Sequence, residues 1–182
     1  MPIADGYDSS DVAHRFRSGA DWFVASEQGD VQVLRIGATS ERAVDLFHSL
    51  VGGLATTVDV AVESLRDRLA WKGVDCNRSD VRDVIARLKL LLASYGGVEI
   101  AAYSIDDQLT LTPELEVFVY SRTHRWRSRL MALGLEERTA TPVAVWRPTR
   151  QALQPAPELS DALALAAQRL ALNSVKPELS KP

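Results

Sequence analysis

The stretch "VEIAAYSIDDQLTLTPELEVFVY" (residues 98–120) decides the fold class, because it reads as extended segments that follow one another with short turns. "VEIAAYS" predicts a strand and Asp106-Asp107 a turn. "QLTLTPELEVFVY" then predicts one bent strand or two paired strands, with Pro113 at the bend or turn. Apolar residues of period two share one face of this region: Leu109, Leu111, Leu115, Val117 and Val119.

A second extended region precedes it near the N-terminus. "DWFVASEQGDVQVLRIG" (residues 21–37) contains two β-rich runs around Gln28-Gly29-Asp30. Gly29 can take the positive φ that a tight hairpin loop requires, so we predict a β-hairpin here. Ahead of it, residues 1–10 read as a loose polar lead, and residues 11–20 predict a short helix.

Three helices follow from apolar spacing, capping residues and glycine stops. Ser40 caps the first, which runs through Val51 and ends at Gly52-Gly53. Ser79 caps the strongest, which carries a long apolar stripe and ends at Gly96-Gly97. A third covers about 123–133. "TPVAVWRP" (residues 141–148) predicts a final short edge strand.

The segment at residues 57–72 is compatible with two structures. Val58, Val60 and Val62 alternate with polar residues, as in a strand. A longer window also fits helical spacing, with Thr56 and Asp59 as a capping pair and Gly73 as the stop. We predict a helix here, and the strand is the alternative.

The resulting order is β-β-α-α-α-β-β-β-α-β with a further helix after it. Strands and helices are segregated, which predicts the α+β class with a mainly antiparallel sheet. Residues 1–148 are expected to form a single domain, followed over 149–182 by a proline-bearing linker, a helix and a disordered C-terminus. The leucines of the helix at 158–173 need cover, either from the domain itself or from a second chain in a homodimer.

Composition limits the classes of function. The 182 residues are 46% hydrophobic and carry a net charge of −3, which argues against a protein that coats nucleic acid non-specifically. The single cysteine, Cys76, excludes an internal disulfide. No apolar stretch is long enough for a membrane helix, and the N-terminus does not resemble a signal peptide. We therefore expect a cytoplasmic protein with no membrane partner.

One basic stretch stands out against this acidic background. "YSRTHRWRSR" (residues 120–129) holds four arginines and no acidic residue, and "HRFRS" (residues 14–18) resembles it. Arginines beside an aromatic residue are typical of binding surfaces. The candidate binding residues are Arg122, Arg125, Trp126 and Arg129, with Arg15 and Phe16 alongside. The alternative is that these arginines form the solvated face of a helix.

Residues 57–112 offer a different interpretation. A helix, the turn "WKGVDCN", the helix "RSDVRDVIARLKLLL" and a strand pair resemble the core of the winged helix-turn-helix family. The resemblance implies that the second helix contacts DNA and that "VEIAAYSIDDQLTLT" is the wing. The matching nucleic-acid-binding residues are Arg78, Ser79, Arg82 and Arg87. Asp80 and Asp83 at the helix start would repel phosphates.

Motifs of catalysis are not found in the sequence. It has no glycine-rich phosphate loop, no GxSxG elbow, and no metal-ligand spacing among its histidines. We assign no catalytic residue, no metal and no cofactor.

The favoured interpretation is a non-catalytic protein-binding module, either a regulatory adaptor or a toxin-neutralising partner. A nucleic-acid-binding regulator is the first alternative, and an enzyme with a site not visible in sequence is the second.

Overall fold

Strands dominate the computed structural model, which describes residues 21–141 and 153–178. In chain order the elements are β1 (Trp22–Gln28), β2 (Val31–Gly37), α1 (Ser40–Val51), β3 (Thr57–Ser64), β4 (Leu69–Asn77), α2 (Arg78–Tyr95), β5 (Val98–Tyr103), β6 (Asp107–Leu111), β7 (Val117–Ser121), α3 (Arg125–Ala132), β8 (Glu136–Arg138), α4 (Pro157–Arg169) and β9 (Asn173–Val175). The strands form one sheet in the order β8-β1-β2-β7-β6-β5-β3-β4-β9.

The sheet is antiparallel except where β8 pairs with β1 in parallel, which confirms the predicted α+β class. Alternation along each strand separates two faces. Buried aliphatic residues of the central strands face α1 and α2, and together they form the core. The opposite face carries larger and more polar side chains, such as Tyr103, Phe118 and Tyr120.

The elements with strong local signals form where the sequence predicts them. β1 and β2 pair as a hairpin, and Gly29 has φ +64° in its turn. β6 and β7 are two paired strands rather than one bent strand. The helix caps shift slightly, because the side chains of Thr39 and Asn77, not Ser40 and Ser79, accept hydrogen bonds from the first turns.

The predicted helix at 57–72 is wrong. Residues 57–64 form β3 and residues 69–77 form β4, and the two strands pair as an antiparallel hairpin. Val58, Val60 and Val62 are buried, which is the period-two pattern of a half-buried strand. The described order is therefore β-β-α-β-β-α-β-β-β-α-β, followed by α4 and β9.

The tail folds back onto the rest of the chain. Leu159 and Leu163 of α4 are buried in the same core as α2, and Ala167 is buried as well. The helix ends at Arg169, earlier than the predicted residue 173, because Ala171 has φ +52° and turns the chain into β9. β9 pairs with β4, and Glu178 beyond it accepts a hydrogen bond from Lys72 Nζ at 2.9 Å.

Several predictions fall outside the described residues. These are the short helix at 11–20 with Arg15 and Phe16, the strand at 142–148, and the start of the linker at 149–152.

Candidate functional site

A buried aromatic residue anchors the basic stretch. Trp126 of α3 is fully buried, and its Nε1 donates a hydrogen bond to Asp107 Oδ1 at 2.7 Å. Ser121 Oγ donates to the same oxygen at 2.6 Å, and Arg125 pairs with Asp107 Oδ2. Trp126 is therefore a core residue, and its ring is not exposed for contact with a partner.

The other predicted binding residues have different neighbours. Arg125 and Arg129 lie over the ring of Trp126, with the Cζ atoms 4.7 Å and 5.5 Å from its centroid. Arg122 Nε is 3.6 Å from Asp30 Oδ2, and both side chains are exposed. The structure thus brings Arg125, Trp126 and Arg129 together, while Arg122 lies beside the β1–β2 turn.

The C-terminal end of α1 is where arginines converge. Arg129 Nη2 donates to Ser49 O at 3.3 Å, and a Cβ added at Gly53 would lie 2.2 Å from Arg129 Nη1. A Cβ added at Gly52 would lie 3.4 Å from Cζ of Arg82. The two glycines therefore leave space for two guanidinium groups beside the backbone.

A third guanidinium reaches the same loop. Arg78 Nη1 donates to the carbonyl of Leu54, two residues after Gly52. We call residues 49–54 the glycine turn, and we call Arg78, Arg82 and Arg129 the arginine cluster. Arg78 and Arg82 come from α2, and Arg129 comes from α3.

The arginine cluster brings together residues that belong to two competing interpretations of the sequence. Arg129 belongs to the predicted protein-binding patch, while Arg78 and Arg82 belong to the predicted DNA-binding helix. The glycine turn that collects them is missing from the sequence prediction, which used Gly52-Gly53 only as a helix stop. The one available signal was the doubling of glycine, because a single glycine is enough to end a helix.

The winged-helix interpretation is wrong in its architecture. The segment before α2 is the β3–β4 hairpin, so no helix-turn-helix is formed. The expected wing, β5 and β6, lies in the middle of the sheet. Of the residues matched to that family, Ser79 donates to the Asn77 side chain at the helix start, and Arg87 lies in a groove between α2 and α4.

The arginines around the glycine turn form no ion pairs within the described part of the chain. Among residues 21–141 and 153–178, no carboxylate forms an ion pair with Arg78, Arg82 or Arg129. Nε of Arg82 is buried and has no hydrogen-bond partner in that part of the chain. Burial, and then the charge of Arg82, lowers the pKa of His48 in the last turn of α1.

A smaller group of polar side chains lies on the face of the sheet opposite α1 and α2. A cavity of about 90 Å³ is lined by Glu63, Glu99, Lys72 and Tyr103, among others. Burial, followed by the charge of Glu63, raises the pKa of Glu99. The cavity is smaller than the ~300 Å³ at which small-molecule sites begin. The described residues contain no group of three side chains able to hold a metal ion.

No protein-family model matches the chain, and no curated protein or solved structure matches it either. None of the helices in the described ranges is both long enough and apolar enough to cross a membrane.

Proposed function

We propose that this protein is a non-catalytic cytoplasmic binding module that recognises an acidic segment of another protein at the arginine cluster. The observation that carries the proposal is the convergence of Arg78, Arg82 and Arg129 on one six-residue turn without a carboxylate partner in the described part of the chain. A regulatory adaptor and a toxin-neutralising partner are the two roles that this proposal covers.

Electrostatics gives the reason for an anionic partner. All three arginines are half-buried, so their mutual repulsion is screened less than it would be in water. The partial negative charge at the C-terminal end of α1 offsets part of that repulsion. Carboxylates would neutralise the remainder, and each guanidinium can hold a carboxylate through two parallel hydrogen bonds. Arginine is also one of the residues that contribute most at protein interfaces.

The surroundings favour a short acidic peptide over a nucleic acid. Asp80 and Asp83 lie in the first turns of α2, beside Arg78 and Arg82, and both are exposed. An extended phosphate backbone would approach these carboxylates and be repelled. A compact segment with two or three carboxylates can contact the glycine turn alone.

A tagged full-length chain captured from lysate of its native cells, with and without nuclease, tests the proposal. We expect a stoichiometric protein partner that survives nuclease. Arg82→Ala combined with Arg129→Ala should weaken its binding at least tenfold, equivalent to about 1.4 kcal/mol. Arg127→Ala is the matched control, because Arg127 is also on α3 but pairs with Glu137 at 2.9 Å.

Two results would overturn the proposal. A partner that binds the double variant and the wild type equally would use another surface. Nucleic acid recovered in place of protein, and released at moderate salt, would identify phosphate as the ligand.

A change at the glycine turn tests the geometry separately. Gly53→Ala places a methyl group where Arg129 Nη1 now lies, so we expect Arg129 to move away and partner affinity to fall several-fold. In an Arg129→Ala background the same change should cost much less affinity, because only the approach of the methyl group to Cη2 of Trp126, at 3.0 Å, remains. Equal losses in both backgrounds, measured by calorimetry with the recovered partner, would contradict this mechanism.

A further inference from the structure

Helix α4 has an apolar residue on its outer side. Leu159, Leu163 and Ala167 point into the core, whereas the side of the helix that faces away from the core carries Leu165, which is 66% exposed. An exposed leucine alone needs no explanation. Leu165 also borders a groove, so it is part of a larger surface.

The groove lies between α2 and α4 and has a volume of about 770 Å³. Its apolar lining comes from Val84 and Leu88 of α2 and from Ala162, Leu165 and Ala166 of α4. Alanines at two of these positions allow another helix to approach the backbone of α4 closely. The surface therefore combines a protruding leucine with an adjacent depression of small residues.

We propose that a second copy of this chain occupies this surface, with α4 packed antiparallel against the partner's α4 about a two-fold axis near Leu165. Each Leu165 then inserts beside the alanines of the other copy. Such a contact is self-complementary, as a two-fold interface must be.

The charges on α4 specify this arrangement. Asp161 lies four residues before Leu165, and Arg169 lies four residues after it. An antiparallel pair centred on Leu165 places Asp161 of one copy opposite Arg169 of the other, twice over. A parallel pair would place like charges together and be repelled.

Both charged groups are available for this contact. Asp161 is exposed and has no ion-pair partner in the described ranges. Arg169 Nη2 is 3.6 Å from Asp83 Oδ2, and both of these side chains are largely exposed, so little is lost when Arg169 changes partner.

A helix of 13 residues is only about 20 Å long, which predicts a small interface and a dissociation constant in the micromolar range.

Sedimentation velocity of the full-length chain over a concentration series tests the inference. The wild type should form a concentration-dependent dimer. Leu165→Glu should weaken dimerisation at least tenfold, and Ala164→Glu should not, because Ala164 is exposed on a different side of the same helix. Asp161→Arg and Arg169→Asp should each weaken the dimer, and the double variant should restore it by exchanging the charges.

Circular dichroism and thermal melting establish that each variant is folded. A wild type that stays monomeric at all concentrations overturns the inference. A dimer that tolerates Leu165→Glu uses another face and overturns it as well. Failure of the double variant to recover, when both single variants dissociate, excludes the antiparallel register. The residues tested here are distinct from the arginine cluster, so these results are independent of partner binding.

Discussion

At the scale of single residues, Asp107 organises the region around α3. Its side chain is almost fully buried at the start of β6 and accepts hydrogen bonds from Ser121 and Trp126 and an ion pair from Arg125. A buried carboxylate is costly unless such donors surround it. Asp107 therefore fixes the position of α3 against β6 and β7, and through α3 it fixes the position of Arg129.

Asp107→Ala should lower the free energy of unfolding by about 3 kcal/mol, because it leaves the buried indole N–H of Trp126 without an acceptor and removes the partner of Ser121 Oγ and Arg125. Asp107→Asn keeps one acceptor oxygen and should cost less. Urea denaturation of the two variants measures the difference. Equal and small losses would mean that α3 is held by its apolar contacts alone.

Glu99 gives a pH-dependent prediction. It pairs directly across from Glu63 on the sheet face opposite α1 and α2, and its raised pKa follows from burial and this neighbour. The folded state thus holds the proton more tightly than the unfolded state does. The stabilising contribution is full below the unfolded pKa and is lost as pH rises through the folded pKa.

Glu99→Gln should therefore stabilise the protein at pH 7 by a few tenths to about 1 kcal/mol, since like charges directly opposite on a sheet are destabilising. The gain should disappear near pH 4, where Glu99 is already protonated. Thermal melts at both pH values measure this. Glu27→Gln on the exposed end of β1 is the control, and a similar gain there would point to net charge instead.

At the scale of elements, the strands and helices that could be predicted are those in which the apolar pattern and the turn or capping residues indicate the same structure. The β1–β2 hairpin, α1 and α2 each combine a periodic apolar pattern with turn or capping residues, so the sequence was sufficient to locate them. β3 and β4 carried conflicting signals. Asp59, interpreted as part of a helix cap, instead accepts a hydrogen bond from Asp75 N at 3.0 Å across the hairpin.

Gly73 also contributed to the wrong prediction of a helix at residues 57–72. It was interpreted as the stop of a helix, but it lies within β4, where a Cβ would be 2.5 Å from Cδ2 of Leu172. This requirement for glycine comes from a residue almost one hundred positions later, which local patterns cannot reveal. The valine alternation at residues 58–62 was the better guide, because β-branched residues favour strands.

The candidate site, like the fold, could be predicted from the sequence only in part. Arginine content and the aromatic residue at position 126 marked both contributing helices from sequence alone. Their meeting at the glycine turn depends on how α1, α2 and α3 pack, and Gly52 and Gly53 matter there because of side chains that arrive from elsewhere.

The β1–β2 hairpin contains a further glycine with a testable role. The Trp22 ring lies over Gly37 on the opposite strand, and a Cβ at Gly37 would be 2.2 Å from Cζ2 of that ring. Gly37→Val should expel Trp22 and cost about 1–3 kcal/mol in unfolding free energy.

Gly29→Asn in the same hairpin is the control. Gly29 has φ +64° and open space around it, a conformation that asparagine tolerates, so its loss should be small. Guanidinium denaturation compares the two variants. A neutral result at Gly37 would mean that Trp22 contributes nothing where it lies.

At the scale of the whole molecule, the C-terminal tail (residues 153–178) contacts the sheet and α2 along its length. Arg66 Nε donates to Gln154 O at 2.9 Å, and its Nη2 donates to Tyr95 O at 2.6 Å, which connects the start of the tail to the end of α2. Burial lowers the pKa of Arg66. Farther along, Ser160 Oγ donates to Asp67 Oδ2 at 2.7 Å.

Leu163→Ala should therefore lower the unfolding free energy of the entire chain by about 2–5 kcal/mol, as expected for a core leucine. Leu165→Ala, two residues away on the exposed side, should change it by less than about 0.5 kcal/mol. Both are measured at low protein concentration, where association does not contribute. Similar small losses would mean that α4 is not an integral part of the core.

The position of α4 and β9 in the chain has a consequence for biosynthesis. They are the last described elements to be synthesised, and among the described residues only they cover the outer edge of β4 and the part of α2 that faces α4. At 5–20 residues per second, the interval between the synthesis of β8 and that of β9 is about 2 to 7 s. During that time the nascent chain exposes the outer edge of β4 and the apolar residues of α2 that α4 later covers, so chaperone capture should concentrate on ribosomes that have just passed β8.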